Sequence, residues 1–118
     1  MTIANVAIIK SEYRSEVVDL LVKGSSSILE QNGAVYEIIE VTGALEIPQA
    51  MNYMLTSSRS DYQAYIALGC ILKGETIHDE VIAYSVFKAL DKLARKFKAP
   101  FGNGILTTNT LEQAIERA

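Results

Sequence analysis

Along this chain the apolar residues switch repeatedly between short unbroken runs and a three-to-four-residue spacing. Val6 to Ile9, with Ile3 as its earliest start, is an apolar run rich in β-branched residues. It reads as a strand buried on both faces. After the polar stretch Lys10–Arg14, Ser15 is placed to cap a helix running to about Gln31. Its apolar positions recur at Val17, Leu21 and Ile28 and at Val18, Val22 and Leu29, which is helical spacing. Gly24 and Ser25–Ser27 lower helicity, and their small size predicts close approach to a sheet. Asn32-Gly33 supplies the left-handed residues that end the helix.

A second strand follows from Ala34 to Val41, then a turn, Thr42–Pro48, that enters another helix. Pro48 suits a first helical turn, where a missing N–H does no harm. That helix carries Met51, Met54 and Leu55 and ends in the polar run Thr56–Asp61. Ala64–Gly69 is a third buried-type strand. The turn after it contains Gly74 and opens a helix from His78 to about Lys98, with Ile82, Val86, Leu90, Leu93 and Phe97 as its core stripe. Ala99-Pro100 breaks this helix. Phe101–Leu106 is a fourth strand despite Gly102, Asn103 and Gly104, and Thr107–Asn109 caps a last helix, Thr110–Ala118.

Strand and helix in strict alternation with short connections predict a parallel sheet covered on both faces. Ligands of such sheets bind outside the carboxyl ends of the strands. The turns at Lys10–Arg14, Thr42–Pro48, Cys70–His78 and Leu106–Asn109 should therefore meet at one edge. With 118 residues, the chain fits a single domain.

Charge and composition narrow the partners. The net charge is −3, and no basic run interleaves with aromatics, so no nucleic-acid partner is expected. Lys88, Lys92, Arg95, Lys96 and Lys98 cluster at helical spacing near a helix C-terminus and read as a solvated face complementing the dipole. No apolar run approaches the roughly 20 residues that span a bilayer, and the first residues lack the basic region and cleavage motif of a signal peptide. A lone cysteine, Cys70, forms no internal disulfide and is a poor metal site. These features predict a cytoplasmic protein with no membrane partner and no metal.

The candidate chemistry lies in Ala67–His78. A strand running through a Gly-containing turn into a helix presents backbone N–H groups and a positive helix end to an anion. Lys73, Glu75, Thr76 and His78, the only histidine, share that turn. His78 alone has an unperturbed pKa near neutrality, as a proton shuttle needs. A capping or surface histidine is the other reading.

Three strings carry a resemblance. Gly43-Ala-Leu-Glu-Ile-Pro48, Gly69-Cys-Ile-Leu-Lys-Gly-Glu-Thr-Ile-His78 and the ending Ile105–Arg117 resemble the lumazine synthases, in that family's order and over nearly the whole chain. The resemblance implies a flavodoxin-like three-layer α/β/α sandwich with a central parallel four-stranded sheet. It implies condensation of 5-amino-6-(D-ribitylamino)uracil with 3,4-dihydroxy-2-butanone 4-phosphate, the penultimate step of riboflavin synthesis, without metal or organic cofactor.

Carried over residue by residue, the resemblance makes His78 the catalytic histidine and puts the butanone phosphate at Glu75, Thr76 and Arg117. Tyr13 falls where the family stacks an aromatic, commonly Phe, on the pyrimidine. Arg14 stands where Asn is frequent. Ala44, Leu45 and Glu46 match the turn that contacts the pyrimidine substrate, with Glu46 accepting from ribityl hydroxyls. Cys70, Ile71 and Leu72 match the strand end lining the ring pocket, with Cys70 as packing rather than nucleophile. Asn103 replaces a usual apolar or aromatic residue in the part of the pocket given by a neighbouring subunit. The family's sites lie between adjacent subunits, which implies a homo-oligomer, a pentamer or multiples of pentamers. The family also has a strand before the first one here and continues past Arg117 through a helix with a substrate-contacting lysine. By that measure residues 1–118 form a single domain lacking the C-terminal helix.

Two other classes remain to be weighed. A ligand-binding or shell-forming member of the same fold would keep the pocket without turnover, but would have no need for both His78 and Arg117. A phosphoacceptor domain would place an acidic residue at the end of the third strand, where this chain has Gly69-Cys70.

Overall fold

The structure, a computed structural model, describes residues 4–57, 61–73 and 78–118. Eight elements alternate along them: β1 (Asn5–Ser11), α1 (Ser15–Gln31), β2 (Val35–Val41), α2 (Glu46–Thr56), β3 (Ala64–Leu72), α3 (His78–Phe97), β4 (Phe101–Thr108) and α4 (Leu111–Arg117). The strands are all parallel, in the order β2-β1-β3-β4. The expected three-layer α/β/α architecture is therefore the observed one.

The two faces of the sheet are covered by different helix pairs. Ala7, Ile9, Ala67 and Ile71 pack with Ile47 and Met51 of α2 and with Val86 and Leu90 of α3. On the other face, Cys70 packs with Val17 and Val18 of α1 and Ala114 of α4. Ile8, Ile9, Ile47 and Leu90 are fully buried. Each contributes on the order of 1.5–3 kcal/mol relative to exposure, so the sheet is held from both sides. No helix among the described residues is long and apolar enough to cross a membrane.

Three strands run further than their composition suggested, and β1 takes in Lys10 and Ser11, paired with Glu40 and Val41. β3 continues to Leu72 and β4 to Thr108 because the ladder itself continues, pairing Cys70 with Leu106, Ile71 with Thr107 and Leu72 with Thr108. Asn103 is accommodated on the edge strand β4, where its side-chain oxygen accepts from the Ile105 N–H at 3.0 Å, and Gly104 leaves room for Leu68, whose Cδ2 would lie 2.6 Å from a β-carbon there.

Helix ends show where local expectations held and where they failed. Gly33, at φ 71, ends α1, with Ala34 N–H donating back to the Leu29 carbonyl at 3.0 Å. The same closure ends α3, with Lys98 at φ 51 and Ala99 N–H bonded to the Ala94 carbonyl. Ser15, however, does not cap α1. The N-cap is Arg14, left-handed at φ 59 and ψ 53, with no side-chain cap bond. Nor does Thr107–Asn109 cap α4: Thr110 does so, in a reciprocal capping box with Gln113. The small residues of α1 also miss their expected role. Gly24 is exposed with nothing within 4 Å of a built β-carbon, so it does not press against the sheet. Ile28 is exposed as well.

Candidate active site

Strand order reverses between β1 and β3: the chain moves to one side of β1 for β2 and to the other for β3. The loops leaving their carboxyl ends diverge, which opens a crevice. Local hydrogen bonds bring the side chains there. Past β1 the chain stays tied to its neighbour, with Glu12 N–H donating to the Val41 carbonyl at 2.7 Å and Tyr13 N–H to that of Thr42 at 3.2 Å. After β2, Glu46 N–H bonds the Gly43 carbonyl and Ile47 N–H that of Ala44, both at 3.1 Å, winding the turn into α2. Lys73 N–H, at 2.8 Å from the Thr108 carbonyl, holds the end of β3 against β4.

The result is a cleft of about 260 Å³. Its walls include Tyr13, the Gly43–Glu46 turn and the strand end Cys70–Leu72, with Asp79 and Ile82 from α3. Seven residues expected at the site from sequence (Tyr13, Ala44, Leu45, Glu46, Cys70, Ile71 and Leu72) thus share one cavity. Tyr13 and Leu45 are its open walls, 55% and 47% exposed. Cys70 and Ile71 form a buried floor. Burial pushes the Cys70 thiol upward, against the opposing charge of Arg14, so it stays protonated at neutral pH and serves as an apolar wall.

Tyr13 offers a flat face and a phenol to a planar ligand. Glu46 and Asp79 offer carboxylates to hydroxyl or N–H donors. Glu46 opens α2, where the helix dipole favours an acid. Its Oε1 lies 3.4 Å from the position of a β-carbon on Gly43, so the carboxylate folds back over its own turn.

Comparison with known proteins identifies the family. The family model described as 6,7-dimethyl-8-ribityllumazine synthase matches residues 4–118. The chain belongs to that family. It is 43% identical over 115 residues to a 6,7-dimethyl-8-ribityllumazine synthase of Beijerinckia indica, covering 98% of this chain and 64% of that protein. It is 41% identical over 118 residues to 6,7-dimethyl-8-ribityllumazine synthase 1 of Rhodopseudomonas palustris, covering 98% and 72%. A 6,7-dimethyl-8-ribityllumazine synthase of Azorhizobium caulinodans is 41% identical over 121 residues, covering all of this chain and 75% of that protein. The chain thus spans between 64% and 75% of these three lumazine synthases.

The other expected site residues that the structure describes stand outside this wall. His78 is the first residue of α3, exposed, and beside the cleft-lining Asp79 rather than in the wall itself. Glu75 and Thr76 lie outside the described residues. Arg117 ends α4 and is exposed, and Asn103 lies on the β4 edge opposite Ala67, so neither lines the cleft of its own chain. Gly43, Asp79 and Ile82 were not anticipated. The signal for the last two was spacing: positions 79 and 82 share a helix face in the first turns after His78.

Proposed function

We propose that the chain performs the synthesis for which its relatives are named: 5-amino-6-(D-ribitylamino)uracil condenses with 3,4-dihydroxy-2-butanone 4-phosphate to give 6,7-dimethyl-8-ribityllumazine, with loss of phosphate and water. One observation carries this reading. Residues from two turns and a strand end, far apart in sequence (Tyr13, Ala44–Glu46 and Cys70–Leu72), line one cleft at the carboxyl edge of the sheet.

The chemistry divides among these groups. The pyrimidine ring lies against Tyr13 over the apolar floor of Cys70, Ile71 and Leu72. Ala44, Leu45 and Glu46 hold its rim, with Glu46 accepting from ribityl hydroxyls. The phosphate is held at Glu75 and Thr76 and by Arg117, whose planar fork suits two parallel contacts. His78 moves protons during imine formation and phosphate elimination.

The protein acts as a homo-oligomer, a pentamer or a multiple of one, in the cytoplasm. A single chain offers about 260 Å³, below the roughly 300–1,000 Å³ of ordinary small-molecule pockets. A neighbouring copy would supply the missing walls, Arg117 and Asn103 among them. Val81 and Tyr84, 57% and 72% exposed on α3, fit such a covered surface.

The test is incubation of the assembled protein with both substrates, following the lumazine chromophore above the uncatalysed rate. Its appearance supports the reading. Binding of the pyrimidine without turnover would instead establish a non-catalytic member of the fold.

A further inference from the structure

The core face of α3 begins with a charge. Ala83, Val86 and Leu90 are the buried residues of this helix, and Ile82 packs beside them. Followed back by one helical turn, that face reaches Asp79. Asp79 is half-buried, whereas His78 and Glu80 on either side of it are exposed. An apolar residue would suit the packing, so an acid in this place departs from the pattern of its own helix. Service to the helix dipole does not require it, because exposed Glu80 stands in the same first turn.

The cleft supplies a reason. Asp79 and Ile82 form the α3 part of its wall, with Glu46 as the other carboxylate and no lysine or arginine among the described lining residues. The Glu46 carboxylate folds back over its own turn, its Oε1 3.4 Å from a β-carbon position on Gly43, and so serves the α2 rim. Asp79 serves the α3 side, next in the chain to His78. It also interacts within the protein, but a carboxylate accepts at about four lone-pair sites and keeps capacity for a ligand. An ionised carboxylate only accepts, so its counterpart on a ligand is an N–H or O–H donor.

We propose that Asp79 is a substrate-binding residue that accepts a hydrogen bond from the 5-amino group of the pyrimidine. The proposal deepens the ring-binding reading given above and rests on it. In that reading Glu46 takes the ribityl hydroxyls at the α2 rim, which leaves an N–H donor of the ring for the α3 side. The amine is the nucleophile of the condensation, so it lies where His78 can move its protons, and Asp79 adjoins His78. A bond from one N–H to Asp79 turns the nitrogen lone pair away from the carboxylate and frees it for the ketone. Asp79 transfers no proton; it orients the amine and selects ligands that carry a donor there.

The experiment measures two ligands by calorimetry: 5-amino-6-(D-ribitylamino)uracil, and 6-(D-ribitylamino)uracil, which has hydrogen in place of the amine. Each is titrated into the assembled parent, Asp79→Ala, Asp79→Asn and Glu46→Gln, with Tm recorded for every variant. Asp79→Ala should weaken the amino ligand about tenfold or more, the scale of a lost charge-assisted bond, and leave the other ligand unchanged. Asp79→Asn keeps an acceptor oxygen without the charge and should fall between the parent and Asp79→Ala. Glu46→Gln should weaken both ligands alike, since both carry the ribityl chain. Equal losses for the two ligands in Asp79→Ala, or no loss for the amino ligand, would overturn the proposal whatever the Tm. If the parent bound neither ligand, the ring-binding reading would fail first, and this assignment with it.

Discussion

The hydroxyl oxygen of Ser11 stands 3.0 Å from the point where a β-carbon on Gly69 would lie. Ser11 ends β1 and Gly69 lies within β3, the two central strands of the sheet, and Ser11 is almost fully buried. The same point lies 3.5 Å from Ile47 Cδ1 and 3.7 Å from Ile105 Cγ1, so the space is closed on several sides.

Gly69→Ala should therefore cost about 1–3 kcal/mol through overpacking, read as a lower urea midpoint. Ser11→Ala should stabilise, because the hydroxyl it removes has no hydrogen-bond partner among the described residues. In the Ser11→Ala background the penalty of Gly69→Ala should shrink. Strictly additive effects in this double-mutant cycle would mean that the two side chains do not meet.

Tyr62 sets an alkaline limit to stability. Its hydroxyl donates to the Glu37 carboxylate, and this bond, with burial and the carboxylate charge behind it, pushes the phenol up to about 12. In the unfolded chain a tyrosine ionises near pH 10. Folding thus favours the protonated phenol, and its contribution is complete below about pH 10 and lost as the pH rises toward 12. Tyrosinate absorbance should show a late step that Tyr62→Phe removes, and the fall of Tm between pH 10 and 12 should become shallower in that variant. Lys10, raised by its bond to Glu40, and Tyr36, raised by Glu30, add to the same decline and should persist.

The short helix α4 depends on its cap. Thr110 accepts from Gln113 N–H at 3.2 Å, while the Gln113 side chain accepts from Thr110 N–H at 3.3 Å. Thr110→Ala should lower stability by about 1 kcal/mol. Amide exchange should quicken in Leu111–Arg117 first, because seven residues anchored by buried Ala114 have little else to hold them. Uniform loss of protection across the sheet would show instead that the cap acts on global stability alone.

For catalysis, His78→Ala should lower kcat by roughly 10²–10⁴-fold, the usual worth of a general acid–base group. Assembly, followed by sedimentation, should not change, since His78 is exposed at the start of α3. The uncatalysed condensation must be subtracted. A folded variant of unchanged rate would strip His78 of its proton-transfer role.

Much of this molecule is legible in one dimension. Buried strands and amphipathic helices imprint periods on neighbouring residues, so Val6–Ile9, the spacing from Val17 to Leu29 and the stripe from Ile82 to Phe97 revealed their elements. Alternation of those elements implied the parallel sheet, and Gly33 marked the end of α1 because few other residues accept its backbone angles. Seven of the cleft residues were named through the resemblance to the lumazine synthases, which carried them over position by position. What tertiary structure decided depends on contacts between distant segments. β3 and β4 lengthen because each supplies the other's hydrogen bonds, which no local composition reports. Asp79 and Ile82 reach the cleft only because α3 lies across the end of β3. Arg14 displaces Ser15 as the cap of α1 because the chain held to Val41 and Thr42 turns at a left-handed Arg14, so the helix opens one residue earlier, at Ser15. A period records which face of an element is buried; strand order and ladder length record what buries it, and the cleft is a product of the second kind of information.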